Sequence, residues 1–250
     1  MRGTLAIARR EMRTAFESPV AYVTIGLFVL ATAGLFFLAG MPVGRVTLPS
    51  LWEGGQASLI VLYAWLPLLL AVLVPALAMG AWAEERRAGT EELLLTYPLR
   101  TGQVVMGKFL ALWVLIALLT TLTVVPVAIT VDRIGDLDWS TVGSGLVGAI
   151  VLGGSYAAVA LLLSASTQEQ LVAFLLGALL LSGLWLLRLM LGVFPPDWAA
   201  ALDYATPSAH FLDSAARGVV DVRDLVYFLC LAGAALYGNV LLVERRRWGG

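Results

Sequence analysis

Residues 58–82 read SLIVLYAWLPLLLAVLVPALAMGAW, twenty-five positions without one charge. A helix rising about 1.5 Å per residue crosses the roughly 30 Å hydrocarbon core of a bilayer in about 20 residues. Ser58–Trp82 is therefore long enough to span it. The run is continuous rather than alternating, which excludes a barrel strand. Inside lipid the backbone must satisfy its own hydrogen bonds, so a helix is what remains. Directly after it, residues 83–103 read AEERRAGTEELLLTYPLRTGQ, an abruptly polar island. Apolar span followed by charged island is the grammar of a membrane protein.

Five further stretches repeat the pattern: Val20–Gly40, Val104–Thr130, Thr141–Leu163, Gln170–Phe194 and Leu225–Val243. The expected fold is an all-α polytopic membrane protein with six transmembrane helices in one domain, 1–250. Composition agrees, because 60% of the 250 residues are hydrophobic and 13% are charged, about half the charged share of a soluble domain. This argues against a water-soluble enzyme or a disordered tail. A net charge of −1 gives no general attraction to nucleic acid. The lone Cys230 excludes an internal disulfide framework and a multi-cysteine metal site. The first apolar run is too long for the core of a signal peptide, and no small-residue cleavage site closes it. It is expected to be a retained first helix.

Orientation follows from the basic residues. With the N-terminus inside, the inner segments hold Arg2, Arg9, Arg10, Arg13, Arg86, Arg87, Arg100, Lys108, Arg245, Arg246 and Arg247, eleven of the sixteen. Both termini are then cytoplasmic. Three polar segments stand out. Residues 1–19 form a candidate amphipathic helix, with Leu5, Ala8, Met12, Ala15 and Phe16 on one face, suited to the plane of the interface. In residues 83–103, Glu84, Glu85, Arg86 and Arg87 mark a membrane exit, and Gly89 breaks the helix. Thr90 is an N-cap, Glu91 and Glu92 fill a first turn that favours acids, and Leu93, Leu94 and Leu95 form an apolar patch before Pro98. Such a helix is too short to stand alone in water and must dock on something. In the outer stretch 195–224, Thr206 and Pro207 start a short helix that Gly218 ends. Phe211, Ala215 and Val219 share its face. The links Met41–Ala57, Val131–Ser140 and Ser164–Glu169 look unremarkable.

Several apparent chemical motifs fail. Gly102–Lys108 nearly spells a phosphate-binding loop, but Phe109 stands where Ser or Thr must hold magnesium. The plain reading is a turn, then a lysine anchoring the third span at the headgroups. Glu84-Glu85 approaches the EExxxR motif of CAAX-type membrane proteases, but the arginine would fall at Gly89, and His210 is the sole histidine. Gly153-Gly154-Ser155-Tyr156-Ala157 misses the nucleophile elbow at its last position. Arg188 is the clear intramembrane charge, near the outer end of its helix, where it can snorkel. Pro67, Pro75 and Pro126 are expected to kink their helices. Gly145, Gly148, Gly153 and Gly154 favour close packing.

The stretch from Pro75 through Glu84-Glu85-Arg86-Arg87-Ala88-Gly89-Thr90-Glu91-Glu92-Leu93-Leu94-Leu95-Thr96 to Pro98, with Gly107-Lys108-Phe109 after it, resembles the permease subunits of ABC-2 type transporters. The late stretch Ser208-Ala209-His210-Phe211, with Gly218, Asp221, Asp224 and Tyr227-Phe228, is similar to the gliding-motility-associated branch. The resemblance covers essentially the whole chain. It implies a non-catalytic subunit of the bacterial inner membrane, an exporter, paired with a second permease chain as homo- or heterodimer. Two cytoplasmic ATPase subunits would bind ATP and magnesium, so this chain carries no cofactor. It also implies a coupling helix at Thr90–Thr96 rooted at Glu84–Arg87. An outer re-entrant element would carry Ser208, His210, Phe211, Asp213 and Gly218, and an extracytoplasmic auxiliary protein is a further partner of the family. Two alternatives stand beside it. One is a mechanotransmission or anchoring subunit that moves no substrate itself. The other is a membrane enzyme using Ser155 and His210.

Overall fold

The computed structural model describes residues 2–17, 19–43, 46–54, 57–87, 89 and 100–249. Helices dominate. In chain order they are α1 (Arg2–Glu17), α2 (Pro19–Leu38), α3 (Leu51–Gly54), α4 (Ile60–Ala78), α5 (Gly80–Arg87), α6 (Thr101–Asp132), α7 (Trp139–Ser166), α8 (Gln170–Met190), α9 (Pro196–Ala205), α10 (Pro207–Asp213) and α11 (Val222–Gly249). Among the described residues, five are long and apolar enough to cross a membrane, with α4 and α5 counted as one span. Six are, if α1 and α2, bent by 78° to each other, are taken together. The spans alternate in direction. The end shared by α1, Arg87 and Thr101 is called proximal here, and the opposite end distal.

The core follows the sequence pattern. Tyr63, Leu66, Leu70, Ile116, Leu152, Tyr156 and Leu161 are all essentially buried between α4, α6 and α7. Glycines on α7 permit the close approach expected of them. A Cβ at Gly145 would meet the Tyr63 ring at 2.3 Å, and one at Gly153 would meet Ile116 at 2.6 Å. Asp138 caps α7 by accepting from the Ser140 amide at 3.0 Å and the Thr141 hydroxyl at 2.6 Å. The Thr141 hydroxyl, and then the Ser140 amide, hold this carboxyl below the usual carboxylate range.

Three local expectations are corrected. The link 41–57 is not plain. Met41–Val43 pairs antiparallel with Val46–Leu48, and α3 follows. Gly40 permits this fold-back, since a Cβ there would lie 2.4 Å from the Leu48 carbonyl oxygen. The Gly102–Lys108 stretch is no loop; it is helical, in the first two turns of α6. Ser164 is no linker residue either. It is fully buried near the end of α7.

Ser164 has a specific structural task. The long helix starting at Ile60 breaks at Met79, four residues after Pro75. The Ser164 hydroxyl inserts at the break. It donates to the Met79 carbonyl at 3.0 Å and accepts from the Trp82 and Ala83 amides at 3.2 and 3.4 Å. A side chain inserted into the helical ladder is a recognised cause of a kink. The helix then resumes as α5 and ends where Gly89, at φ +68°, takes the left-handed conformation.

Candidate functional site

Two polar clusters stand at the two ends of the bundle. The proximal one is built by α1, α5 and α6. On α1, Thr4, Ile7, Ala8, Glu11, Met12, Ala15 and Phe16 form the covered face, while Arg9, Arg10 and Arg13 are exposed. Leu5, expected on the covered face, is 64% exposed. Gly107 lets α1 lie close on α6, because a Cβ there would sit 2.8 Å from Ile7 and 3.0 Å from the Thr4 carbonyl oxygen.

Lys108 follows Gly107 and is the centre of this cluster. It is only 3% exposed, enclosed by protein. Its ammonium lies 2.9 Å from the Glu85 carboxylate and 3.3 Å from Glu11. It donates to the Ala81 carbonyl at 2.8 Å and sits 5.0 Å from the centre of the buried Trp82 ring. Arg10 approaches the same Glu85 oxygen at 3.5 Å. Three helices distant in sequence thus share one charge knot. A buried cation is tolerated because it is paired and its donors are used.

Of the sequence-derived coupling residues, the structure places Glu85 in this knot, with Glu84, Arg86 and Arg87 beside it on α5 and Gly89 at its stop. Thr90, Glu91, Glu92, Leu93, Leu94, Leu95 and Thr96 lie outside the described residues. Lys108, Glu11 and Arg10 belong to the cluster and were not singled out for it. Glu11 could have been found, since it falls on the apolar face of an amphipathic helix, where a carboxylate needs a partner.

The distal cluster is more elaborate than the single short helix expected. It consists of α9, α10 and a 3-10 turn, Ala215–Arg217, closed by Gly218 at φ +96°. The last carbonyls of α9 receive side-chain donors. Thr206 donates to Asp203 at 2.7 Å, Tyr227 to Ala205 at 2.8 Å, and His210 Nε2 stands 2.9 Å from the Tyr204 oxygen. Such carbonyls have no partner within the helix itself. Thr206 does occupy the cap position of α10 with Pro207 after it, but its hydroxyl serves α9.

His210 is buried. Its Nδ1 is 2.7 Å from Asp224, and its ring stacks on Tyr227 at 3.9 Å. Both ring nitrogens thus stand within hydrogen-bond distance of an oxygen. Arg188 is held by the distal segment. It grips Asp213 with Nη2 at 2.8 and 2.9 Å, donates to the Ser208 carbonyl at 3.1 Å, and lies 3.7 Å from Asp203. Phe211 is fully buried against Tyr63. Val219, expected beside it, is 61% exposed. The segment reaches deep. A Cβ on Gly148 would touch Ala215 at 2.3 Å, and Ser144 donates to the Ala215 carbonyl at 3.1 Å. Gly148 is nine residues into α7, about 13 Å along its axis.

Ser155 and His210 do not form a catalytic pair. The Ser155 hydroxyl donates to the Leu152 carbonyl at 2.7 Å, while His210 is engaged by Asp224 and Tyr204. Among the described residues, no group of three or more His, Cys, Asp or Glu side chains could hold a metal ion.

Apolar spans with paired charges gathered at both ends define a polytopic helical membrane protein. Residues 53–233 match the family described as ABC-2 family transporter protein, and the chain belongs to that family. A protein of Stutzerimonas stutzeri named probable ABC transporter permease protein NosY is 30% identical over 187 residues, covering 72% of this chain and 64% of its own length. A protein of the same name from Pseudomonas aeruginosa is 36% identical over 114 residues, covering 46% of this chain and 40% of its own. The chain thus spans less than two thirds of the length of either relative.

Proposed function

We propose that this chain is the membrane-spanning permease subunit of an ATP-driven ABC-2 type exporter in the bacterial inner membrane. A separate cytoplasmic ATPase, in two copies, binds ATP and magnesium. The observation that carries this reading, beside family membership, is the Lys108–Glu85–Glu11 knot. It joins the interfacial helix α1 and the stem α5 to span α6, so a push on the polar island is delivered to the bundle as one body. On this reading the proximal end is cytoplasmic, both termini lie there, and Thr90–Thr96 is the coupling helix seated on the ATPase. ATP-driven closure of the ATPase pair moves that helix, and the packed spans shift as rigid elements. The distal segment, with Ser208, His210, Phe211, Asp213 and Gly218, is the outer re-entrant element. A second permease chain covers the faces of α8 and α11, whose apolar windows are only 22% buried against 50–61% in α4–α5, α6 and α7. The late stretch Ser208–Phe211 with Asp224 and Tyr227 supports the gliding-motility-associated branch.

The test is ATPase activity of the reconstituted complex carrying Glu91→Lys and Glu92→Lys. Transport-linked hydrolysis should fall with loss of ATPase binding. Unchanged assembly and unchanged hydrolysis remove the coupling assignment. A second reading, a mechanotransmission subunit that passes no substrate, draws on the distal clamp. Arg188 ties α8 to Ser208 and Asp213, so a shift of α8 is handed to the distal surface and to an extracytoplasmic partner. A lumen that stays closed in every nucleotide state would favour that reading over the first.

A further inference from the structure

A cavity of about 380 Å³ lies between α1, the α4–α5 break, α6 and the first turn of α8. Its size is at the lower end of ordinary ligand pockets, roughly 300–1,000 Å³. The floor is apolar, with Ala76, Leu77, Leu112 and Leu115. The rim is polar, with Glu11, Glu84 and Lys108 among its residues. The helix α1 beside it turns Arg9, Arg10 and Arg13 outward and its apolar face inward, the pattern of a helix lying at a membrane surface. The cavity therefore opens where headgroups give way to tails, provided the membrane-spanning reading holds. An acyl chain needs only apolar walls.

The rim selects the headgroup. The Lys108 ammonium is already held by Glu85, Glu11 and the Ala81 carbonyl. Glu84 is a further carboxylate on the rim, with no ion-pair partner among the described residues. The rim therefore keeps an excess negative charge, which repels an anionic headgroup and attracts an ammonium. We propose that this cavity holds one acyl chain of a phospholipid whose headgroup carries a primary ammonium, set against Glu84. Met79, Gly80 and Ala81 also line it, so the bound chain braces the helix break that Ser164 holds open.

The test is native mass spectrometry of the purified protein, in the complex in which it is isolated. It is first equilibrated in nanodiscs of equimolar phosphatidylethanolamine and phosphatidylglycerol, then mildly delipidated. One ethanolamine lipid per chain should be retained about five-fold over the glycerol lipid, the discrimination of one partly exposed ion pair. Glu84→Gln should bring that ratio near one, and Leu77→Trp should remove the retained lipid. The proposal is overturned if no lipid is retained, if the wild type holds both lipids equally or prefers the glycerol lipid, or if Glu84→Gln leaves the preference intact. Should Leu77→Trp fail to fold, a photoactivatable ethanolamine lipid with a diazirine in its chain replaces it. Adducts at 76–81 or 111–115 uphold the site, and adducts confined to α8 and α11 reject it. Neither readout involves ATP, so failure here is distinguishable from failure of the transporter reading.

Discussion

At the residue scale, Lys108 shows how a charge can be visible in a sequence while its role is hidden. Its neighbour Phe109 disqualified a phosphate loop on chemistry alone, and that exclusion stands, because the stretch is helical. What replaced it, a headgroup anchor, left out its partners. The partners Glu11 and Glu85 sit 97 and 23 positions away, and only the packing of three helices brings them together. Removing one member of a buried ion pair leaves an uncompensated charge and costs about 3–5 kcal/mol. Lys108→Met should therefore lower the unfolding midpoint in detergent strongly. Lys108→Met combined with Glu85→Gln should recover part of the loss, since only the more exposed Glu11 then keeps a charge without Lys108. A double variant no better than the single one would show that the pair is not energetically coupled. Asp138 makes a pH-dependent case outside the spans. Its pKa is depressed in the folded chain, so its stabilisation is present above the unfolded value, about 3.9, and is lost as pH falls through the lower folded value. Hydrogen exchange in the first turn of α7 should quicken below about pH 4, and Asp138→Asn should abolish that dependence. An unchanged profile in the variant would assign the effect to another group.

At the element scale, the break between α4 and α5 joins a legible signal to an illegible one. Pro75 announces a disturbed helix from the sequence. Nothing local says that Ser164, 85 positions from Met79, fills the disturbance. Replacing it with alanine leaves the Met79 carbonyl and the Trp82 and Ala83 amides without their side-chain partner, and unmet buried groups cost about 1–3 kcal/mol. Ser164→Ala should destabilise the chain by that amount and speed amide exchange over Gly80–Arg87. Unaltered exchange there would mean that the proline alone maintains the break. The distal segment makes the complementary case. Gly148 was expected to serve close helix packing, and it does, but the neighbour is the 3-10 turn carrying Ala215, not another span. Gly148→Val should drive Ala215 and Phe211 out of their seat. Overpacking of this kind costs about 1–3 kcal/mol, and Tyr63 should gain solvent access, measured by fluorescence quenching. A variant with wild-type stability and quenching would show that the turn is free to move aside. His210 and Asp224 each stood out in the sequence, but their pairing was not legible, because the two lie on different elements.

At the scale of the whole molecule, the spans were legible because lipid leaves the backbone so few options, and an apolar run of bilayer length has a single reading. The places that escaped were those decided by tertiary contact: the hairpin at Met41–Leu48, the second distal helix, and the charge knot. Orientation is the property that both the transporter reading and the lipid site require, and it rests on charge segregation. Arg9, Arg10, Arg13, Arg86, Arg87, Arg100 and Arg245 gather at the proximal end of the fold. The distal end carries Asp132, Asp136, Asp138, Asp197, Asp203, Asp213, Asp221 and Asp224, with few bases. Basic segments are retained on the cytoplasmic side while acidic residues contribute little, so the proximal end should face the cytoplasm. Cys230 is exposed on α11 and must first become serine. In that background, Asp197→Cys should react with a membrane-impermeant maleimide on intact cells with the outer envelope opened. Glu91→Cys should react only after the inner membrane is permeabilised. The reverse pattern would place the polar island away from ATP, and no cytoplasmic motor could then engage it.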